Sequence, residues 1–127
     1  MAKHLELGAL GEEKAAEYLT ERGYTIIDRN ARKPWGEIDI VAQAPNKTLV
    51  FVEVKTLRQA QGKPLSEQLK PEDQMTASKI RKSKIAAQLY AGHKPELVNE
   101  RGWRIDLVAI TKVGEGFKIN HYENVVG

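Results

Sequence analysis

The sequence predicts an α/β protein, a mixed β-sheet flanked by helices, with its elements in the order α-β-β-β-α-β-β. Three observations predict it. Two segments, Leu5–Arg22 and Met75–Ala91, place apolar residues at helical spacing and run into a glycine. Five short runs are rich in Val, Ile and aromatic residues, as strands are. Turn formers separate several of these runs, Pro45-Asn46-Lys47 and Gly114-Glu115-Gly116 above all. With 127 residues the chain is sized for a single domain, residues 1–127, that can bury a real core.

The first helix, Leu5–Arg22, is rich in Ala, Leu and Glu and stops at Gly23, a residue suited to a helix C-terminus. Tyr24–Asp28 is a short β-like run, and Asn30–Gly36, with Pro34 and Trp35, reads as a connection. Ile38–Ala42 and Thr48–Lys55 are strands around the Pro45-Asn46-Lys47 turn, which makes them a hairpin. The stretch from Leu57 to about Asp73 is polar, holds Gly62, Pro64 and Pro71, and is expected to be a long mobile loop. Met75–Ala91 is the second helix, stopped by Gly92 and Pro95. Arg104–Thr111 is a strand, and the Gly114–Gly116 turn leads into the last one, Phe117–Tyr122.

Composition excludes several functions. There is no cysteine, so no disulfide, zinc-thiolate site or thiol nucleophile exists. The N-terminus carries charge where a signal peptide would need an apolar stretch, and no apolar run approaches the ~20 residues of a membrane span. No partnership with a membrane is therefore expected, and the default location is cytoplasmic. The net charge of +3 is unevenly spread: residues 1–57 balance at −1, residues 58–94 at +5 and residues 95–127 at −1. The excess in the middle segment suits either a polyanionic partner or a solvated basic helix.

Residues two apart on a strand share a face. Phe51, Glu53 and Lys55 therefore share one face, and Val50, Val52 and Val54 the other. A Glu and a Lys extending so apolar a strand are unusual, because a buried carboxylate is costly unless a cation or hydrogen bonds compensate it. If Pro45-Asn46-Lys47 forms a three-residue loop, with Asn46 or Lys47 near the left-handed region, Ala44 faces Thr48, Val41 faces Phe51 and Asp39 faces Glu53. Their β-carbons would be roughly 4.5–5.5 Å apart. A divalent cation would relieve that repulsion. Mg2+ (or Mn2+) suits the position, since it takes carboxylate oxygens, keeps waters and accepts phosphate oxygens. Lys55, one step along, would stabilise an attacking hydroxide or the charge developing on phosphorus. The plainer alternative is a Glu53–Lys55 ion pair at a strand end.

Gly8, Glu12, Ala15, Ala16 and Leu19 fall on one face of the first helix, so Glu12 sits on a face otherwise small and apolar, where the glycines allow close approach to a sheet. It is read as a third metal-directed carboxylate, with a helix N-terminal charge as the alternative.

Gly8-x-x-Gly11-Glu12, Gly36-Glu-Ile-Asp-Ile-Val-Ala42, Val50-Phe-Val-Glu-Val-Lys-Thr56 and Ile119-x-His121-Tyr-Glu123-Asn124 resemble the YraN-type family of uncharacterised bacterial proteins. That family is similar to the archaeal Holliday-junction resolvases and the wider PD-(D/E)xK nucleases. The resemblance implies a restriction-endonuclease-like fold and metal-dependent cleavage of DNA. Glu12 would be the first-helix acid, Asp39 the motif Asp, and Glu53 with Lys55 the Glu-x-Lys pair. The superfamily's Pro-Asp is replaced by Ile38-Asp39, preceded by Glu37, an auxiliary ligand. By the same resemblance the substrate is double-stranded or branched DNA such as a Holliday junction. A two-fold junction would call for a homodimer. The alternatives are a nucleic-acid-binding module without hydrolysis and an adaptor in DNA recombination or repair.

Lys79, Arg81, Lys82 and Lys84 crowd about a turn and a half of the second helix, where they can neutralise phosphates without reading sequence. Lys79 falls on the apolar side, between Ala86 and Tyr90, and points either toward the acidic hairpin or over Tyr90 to solvent. Arg32 and Lys33 precede the first acidic strand and are further DNA contacts, while Trp35 reads as a surface turn. Arg104-Ile-Asp-Leu-Val-Ala109 echoes the acidic strand but lacks a Glu-x-Lys partner, so Asp106 is read as structural. The three histidines have no metal-ligand spacing, although His121 is placed to order the last strand.

Overall fold

A computed structural model describes residues 3–34, 36–58 and 75–126, with side chains from residue 7 onward. The elements are α1 (Lys3–Glu21), β1 (Thr25–Lys33), β2 (Gly36–Gln43), β3 (Leu49–Arg58), α2 (Ala77–His93), a 3-10 turn (Pro95–Leu97), β4 (Trp103–Val113) and β5 (Gly116–Tyr122). The strands form one sheet in the order β1-β2-β3-β4-β5. Only β3 and β4 run parallel, and the crossover between them carries α2. This is the α/β arrangement, a mixed sheet flanked by helices, and the element order expected from the sequence.

Local chemistry explains the boundaries. Gly23 ends α1 with φ +89°, while Tyr24 N donates to Leu19 O and Gly23 N to Thr20 O, the paired bonds of a glycine-capped helix end. Thr76 caps α2 by accepting from Lys79 N.

The largest departure from expectation is β1. Residues 30–33, expected in a connection, continue the strand through Ala31↔Ile38, Arg32↔Glu37 and Lys33↔Gly36. An edge strand leaves much of its surface in water, so Arg29, Arg32 and Lys33 are tolerated there while Ala31 is buried. Leu57 and Arg58, expected in the long loop, extend β3 in register with β4. The rest of that loop, residues 59–74, and Trp35 lie outside the described residues.

Two cores sandwich the sheet. Ala15, Ala16 and Leu19 of α1 pack on Ile40, Ala42, Val50, Val52, Val108 and Ile110. Ala86, Ala87, Tyr90 and Ala91 of α2 pack on Val41, Phe51 and Ile105. The alternation expected along β3, valines to one side and Phe51 to the other, is thus observed. The close approach of α1 depends on Gly11, where an added Cβ would collide with the Thr56 side chain, whereas at Gly8 it would meet nothing. Among the described residues, no helix is long and apolar enough to cross a membrane.

Candidate active site

The site begins with a ladder that stops. Lys47 turns the hairpin with φ +77°, Ala44 N donates to Thr48 O (2.9 Å), and β2 pairs β3 through Gln43↔Leu49, Ala42↔Val50, Val41↔Phe51 and Ile40↔Val52. This is the expected register. Beyond Ile40 and Val52 the strands part: β2 stays with β1 as far as Gly36, and β3 stays with β4 as far as Arg58↔Lys112. Asp39 and Glu53 are the first residues past the last pair. At the apex of the resulting notch, Val54 N donates to Asp39 Oδ2 (2.8 Å), so the carboxylate satisfies a donor on the side where β2 has withdrawn.

The notch opens in two directions. A cavity of about 540 Å³ lies between Glu37, Asp39 and Glu53 on the sheet and Lys79, Lys82 and Ser83 on α2. A second, of about 340 Å³, is lined by Gly8 and Glu12 of α1 together with Asp39, Val54, Lys55 and Thr56. Asp39 borders both. It therefore joins Glu53 and the α2 cations on one side to Glu12 and Lys55 on the other.

The electrostatics of these groups are under-compensated. Burial and the charge of Asp39 push Glu53 up from 4.5 to about 7, against the lowering influence of Lys79 and Lys55. Burial also raises Asp39, partly offset by the Val54 hydrogen bond and by Lys79. Glu12 is raised by burial and by Asp39, and lowered by Arg29 and Asn30. Its side chain is 15% exposed, its Oε1 is buried without a hydrogen-bond partner, and the Arg29 guanidinium stands 3.7 Å away. Such carboxylates are short of positive charge. Among the described residues, however, no three Asp, Glu or His side chains gather closely enough to hold one metal ion, so Glu12 does not close a three-acid cage with Asp39 and Glu53.

Of the expected phosphate-binding residues, Lys79 and Lys82 line the larger cavity opposite the acids, so Lys79 faces the acidic hairpin. Arg81 is exposed, and Lys84 lines a separate cavity nearer Trp103. Arg32 and Lys33 are exposed at the end of β1, where Arg32 pairs loosely with Glu37 at 3.8 Å, both more than 70% exposed. Two neighbours of the site escaped sequence reasoning. Arg29, which pairs with Glu12 and Glu13, lies just beyond the expected end of β1. Ser83 gave no signal among the lysines around it.

Asp106 is fully buried and has the structural character expected of it. It accepts from Arg104 Nε (2.9 Å), from Asn124 N (2.9 Å) and from His121 Nε2 (2.8 Å), and His121 Nδ1 lies 3.3 Å from the Tyr18 hydroxyl. His121 thus ties β5 to β4 and α1.

With this geometry in view, the uncharacterised protein family UPF0102 matches residues 11–110, spanning both strands of the notch and all of α2. Similar proteins named "UPF0102 protein" occur in Alkaliphilus oremlandii (36% identical, covering 94% of this chain and 96% of that one) and Syntrophomonas wolfei (40%, covering 94% and 96%). Another, from Rhodococcus opacus, is 43% identical and covers 91% of this chain and 90% of its own. Among solved structures, SfsA of Pyrococcus furiosus in complex with Ca2+ is similar at 16% identity and a TM-score of 0.34. That likeness covers 95% of this chain and 63% of SfsA.

Proposed function

We propose, for a chain that belongs to the uncharacterised protein family UPF0102, the function of a metal-dependent DNA endonuclease that hydrolyses phosphodiester bonds. One observation carries the proposal: two desolvated carboxylates, Asp39 and Glu53, stand where adjacent strands part, with Lys55 beside them and Lys79 and Lys82 across the cavity. The raised pKa values of Asp39 and Glu53 fit a divalent cation. Asp39 and Glu53 would hold Mg2+ or Mn2+, ions of a class that takes carboxylate, water and phosphate oxygens. When bound, the ion supplies Lewis-acid polarisation of the phosphate and a more acidic water.

The chain's own side chains do the rest. Lys55 orients the attacking water and offsets charge as the new P–O bond forms and the ester P–O bond breaks. Lys79 and Lys82 hold the substrate phosphate, while Arg32, Lys33, Arg81 and Lys84 extend the contact along the backbone. Glu12 balances charge from the α1 side of Asp39, and Glu37 is an auxiliary carboxylate at the rim. The proposed substrate is branched or double-stranded DNA, Holliday junctions included, for which two copies of the chain would supply the two cuts. A nucleic-acid-binding module or recombination adaptor without hydrolysis is the alternative, favoured by the lack of a three-acid cage among the described residues.

Cleavage of linear, flapped and four-way DNA in Mg2+, Mn2+ or EDTA separates these. The endonuclease cuts only with metal, and Glu53→Ala and Lys55→Ala abolish cutting while DNA binding persists. Undiminished cutting by Glu53→Ala, or cutting in EDTA, would defeat the proposal. Salt-sensitive binding without cutting in either metal selects the binding module.

A further inference from the structure

A third cavity, of about 480 Å³, opens where β3 and β4 begin, four residues along β3 from the notch. Thr48, Lys84, Arg101, Trp103, Arg104 and Asn124 line it, with no carboxylate among them. Asp106 and Glu123 already engage Arg104. Lys84 and Arg101 differ: among the described residues neither has a carboxylate partner within 4 Å. The wall that carries Arg101 is braced. Asn99 Oδ1 accepts from Arg101 N (2.8 Å), Asn99 Nδ2 donates to Lys47 O (3.0 Å), and Leu49 N donates to Gly102 O (3.1 Å). Trp103 is half-buried and held edge-to-face against Phe51 at 5.6 Å between ring centres.

Two uncompensated cations and an indole around one concavity are the groups that a phosphate and a base would contact. The volume suits a small planar group rather than a duplex, and an aromatic wall beside cations is how single strands are held without sequence preference. Trp103 is in register with Leu49, four residues before Glu53 on β3, so roughly 13 Å separates the two levels at ~3.3 Å per residue. That is about four nucleotides at the ~3.4 Å spacing of a stacked strand. Both Trp103 and Glu53 lie on the face of the sheet that α2 covers.

We infer that this cavity is a second nucleic-acid contact: Lys84 and Arg101 hold phosphates of a single strand leading away from the acidic notch, and Trp103 carries one of its bases. The inference rests on the DNA-cleaving function proposed for the notch, and it narrows the substrate to DNA that offers an unpaired strand beside the cut, such as a flap or an open branch.

The test uses the full chain in EDTA with a fluorescent ten-residue oligothymidylate, its anisotropy followed across a KCl series. Intrinsic fluorescence is read in a Trp35→Phe background, where Trp103 is the only tryptophan. The oligonucleotide quenches Trp103, Trp103→Ala weakens binding about tenfold, and Lys84→Gln with Arg101→Gln lowers the salt slope by about 1.4. Because Trp103 also packs on Phe51, the exposed Lys84 and Arg101 provide the readout that does not depend on the core. An unchanged slope in the double variant, with no quenching, overturns the inference even if the wild type cuts DNA in Mg2+. Quenching and a reduced slope without cutting in any metal leave the strand contact standing and remove the nuclease. Equal quenching by thymidine monophosphate, with no gain for the longer strand, marks a free-nucleotide site and overturns the inference.

Discussion

Asp39 and Asp106 occupy the same place in two look-alike stretches, Glu37-Ile-Asp-Ile-Val-Ala42 and Arg104-Ile-Asp-Leu-Val-Ala109, and both are withdrawn from water. Their electrostatic fates are opposite. Burial pushes Asp106 up, but hydrogen bonds from His121, Arg104 and the Asn124 N–H outweigh it and hold the carboxyl below its ordinary 3.8. Asp39 is raised by burial and then by Glu37, against which it has only the Val54 N–H and Lys79. The difference arises outside the stretches themselves. β4 runs between two paired neighbours for most of its length, and β5 delivers His121 to Asp106. β2 loses β3 at Ile40, and the unfilled side of Asp39 becomes a cavity. A carboxylate whose partners are complete holds the fold together, while one left short of charge is available for a ligand.

The comparison can be broken most directly by deleting each carboxylate. Asp106→Ala leaves the Arg104 guanidinium largely buried and strips donors on three residues, Arg104, His121 and Asn124, of their acceptor. It should cost about 3–5 kcal/mol and lower Tm by more than about 10 °C. Asp39→Asn keeps an oxygen for Val54 N–H and removes a desolvated charge, so it should leave Tm unchanged or higher. Thermal unfolding of the two variants side by side checks this, and equal losses would erase the distinction.

Acidity sharpens it next. Glu53 binds its proton in the fold up to about 7 but releases it near 4.5 when unfolded. Its contribution is full below pH 4.5 and is lost as pH rises to 7, amounting to about 3 kcal/mol across that window. Asp106 runs the other way: its contribution is present above pH 3.8 and is lost as pH falls below that value. Urea unfolding of Glu53→Gln between pH 4 and 8 should therefore show a smaller decline than the wild type, the remainder coming from Asp39 and Glu12, whose carboxyls are also raised by burial. Divalent metal should oppose that decline. At 100 times its Kd, Mg2+ would stabilise the wild type by about 2.7 kcal/mol at pH 8. The same addition should do nothing for an Asp39→Asn/Glu53→Gln double variant, and calorimetric scans with and without Mg2+ measure both.

What was legible in the sequence follows the range of the interactions involved. The hairpin register depended on the Pro45-Asn46-Lys47 turn and on alternating residues within twenty positions, so Val41↔Phe51 could be counted out from the turn, whereas the expected facing of Asp39 and Glu53 could not, because the ladder ends at Ile40↔Val52 and the strands part there. The expectation of a restriction-endonuclease-like architecture came instead from the motif resemblance, while the readings of Glu12 and Lys55 came from the faces they occupy and the resemblance added to them. The continuation of β1 was hidden because Arg29, Asn30, Arg32 and Lys33 look like a loop until β2 supplies their backbone partners. The partners of Asp106 were only partly visible: His121 could be assigned an ordering role, but its contact with Tyr18 spans 103 positions and that of Arg104 with Tyr24 spans 80. The helical wheel set Lys79 apart from Lys84, but no local pattern shows that Lys84 lines another cavity beside Trp103.

That division of α2 supports the smallest prediction. Lys79 lowers the pKa of both Asp39 and Glu53 across the cavity, whereas Lys84, on the Trp103 side, has no part in either shift. The Lys79 side chain is exposed, so its pull on Glu53 is that of a partly screened pair, about 0.2–1 kcal/mol. Lys79→Gln should therefore move the Glu53 midpoint upward from about 7 by less than one pH unit. Lys84→Gln should leave it in place. Carboxyl carbon shifts of Glu53 followed by NMR through the titration read both variants directly. An equal displacement by the two substitutions would mean that α2 acts on the notch as a diffuse positive field. A displacement by Lys79→Gln alone would mean that α2 divides its cations, Lys79 acting on the acids while Lys84 faces the other cavity.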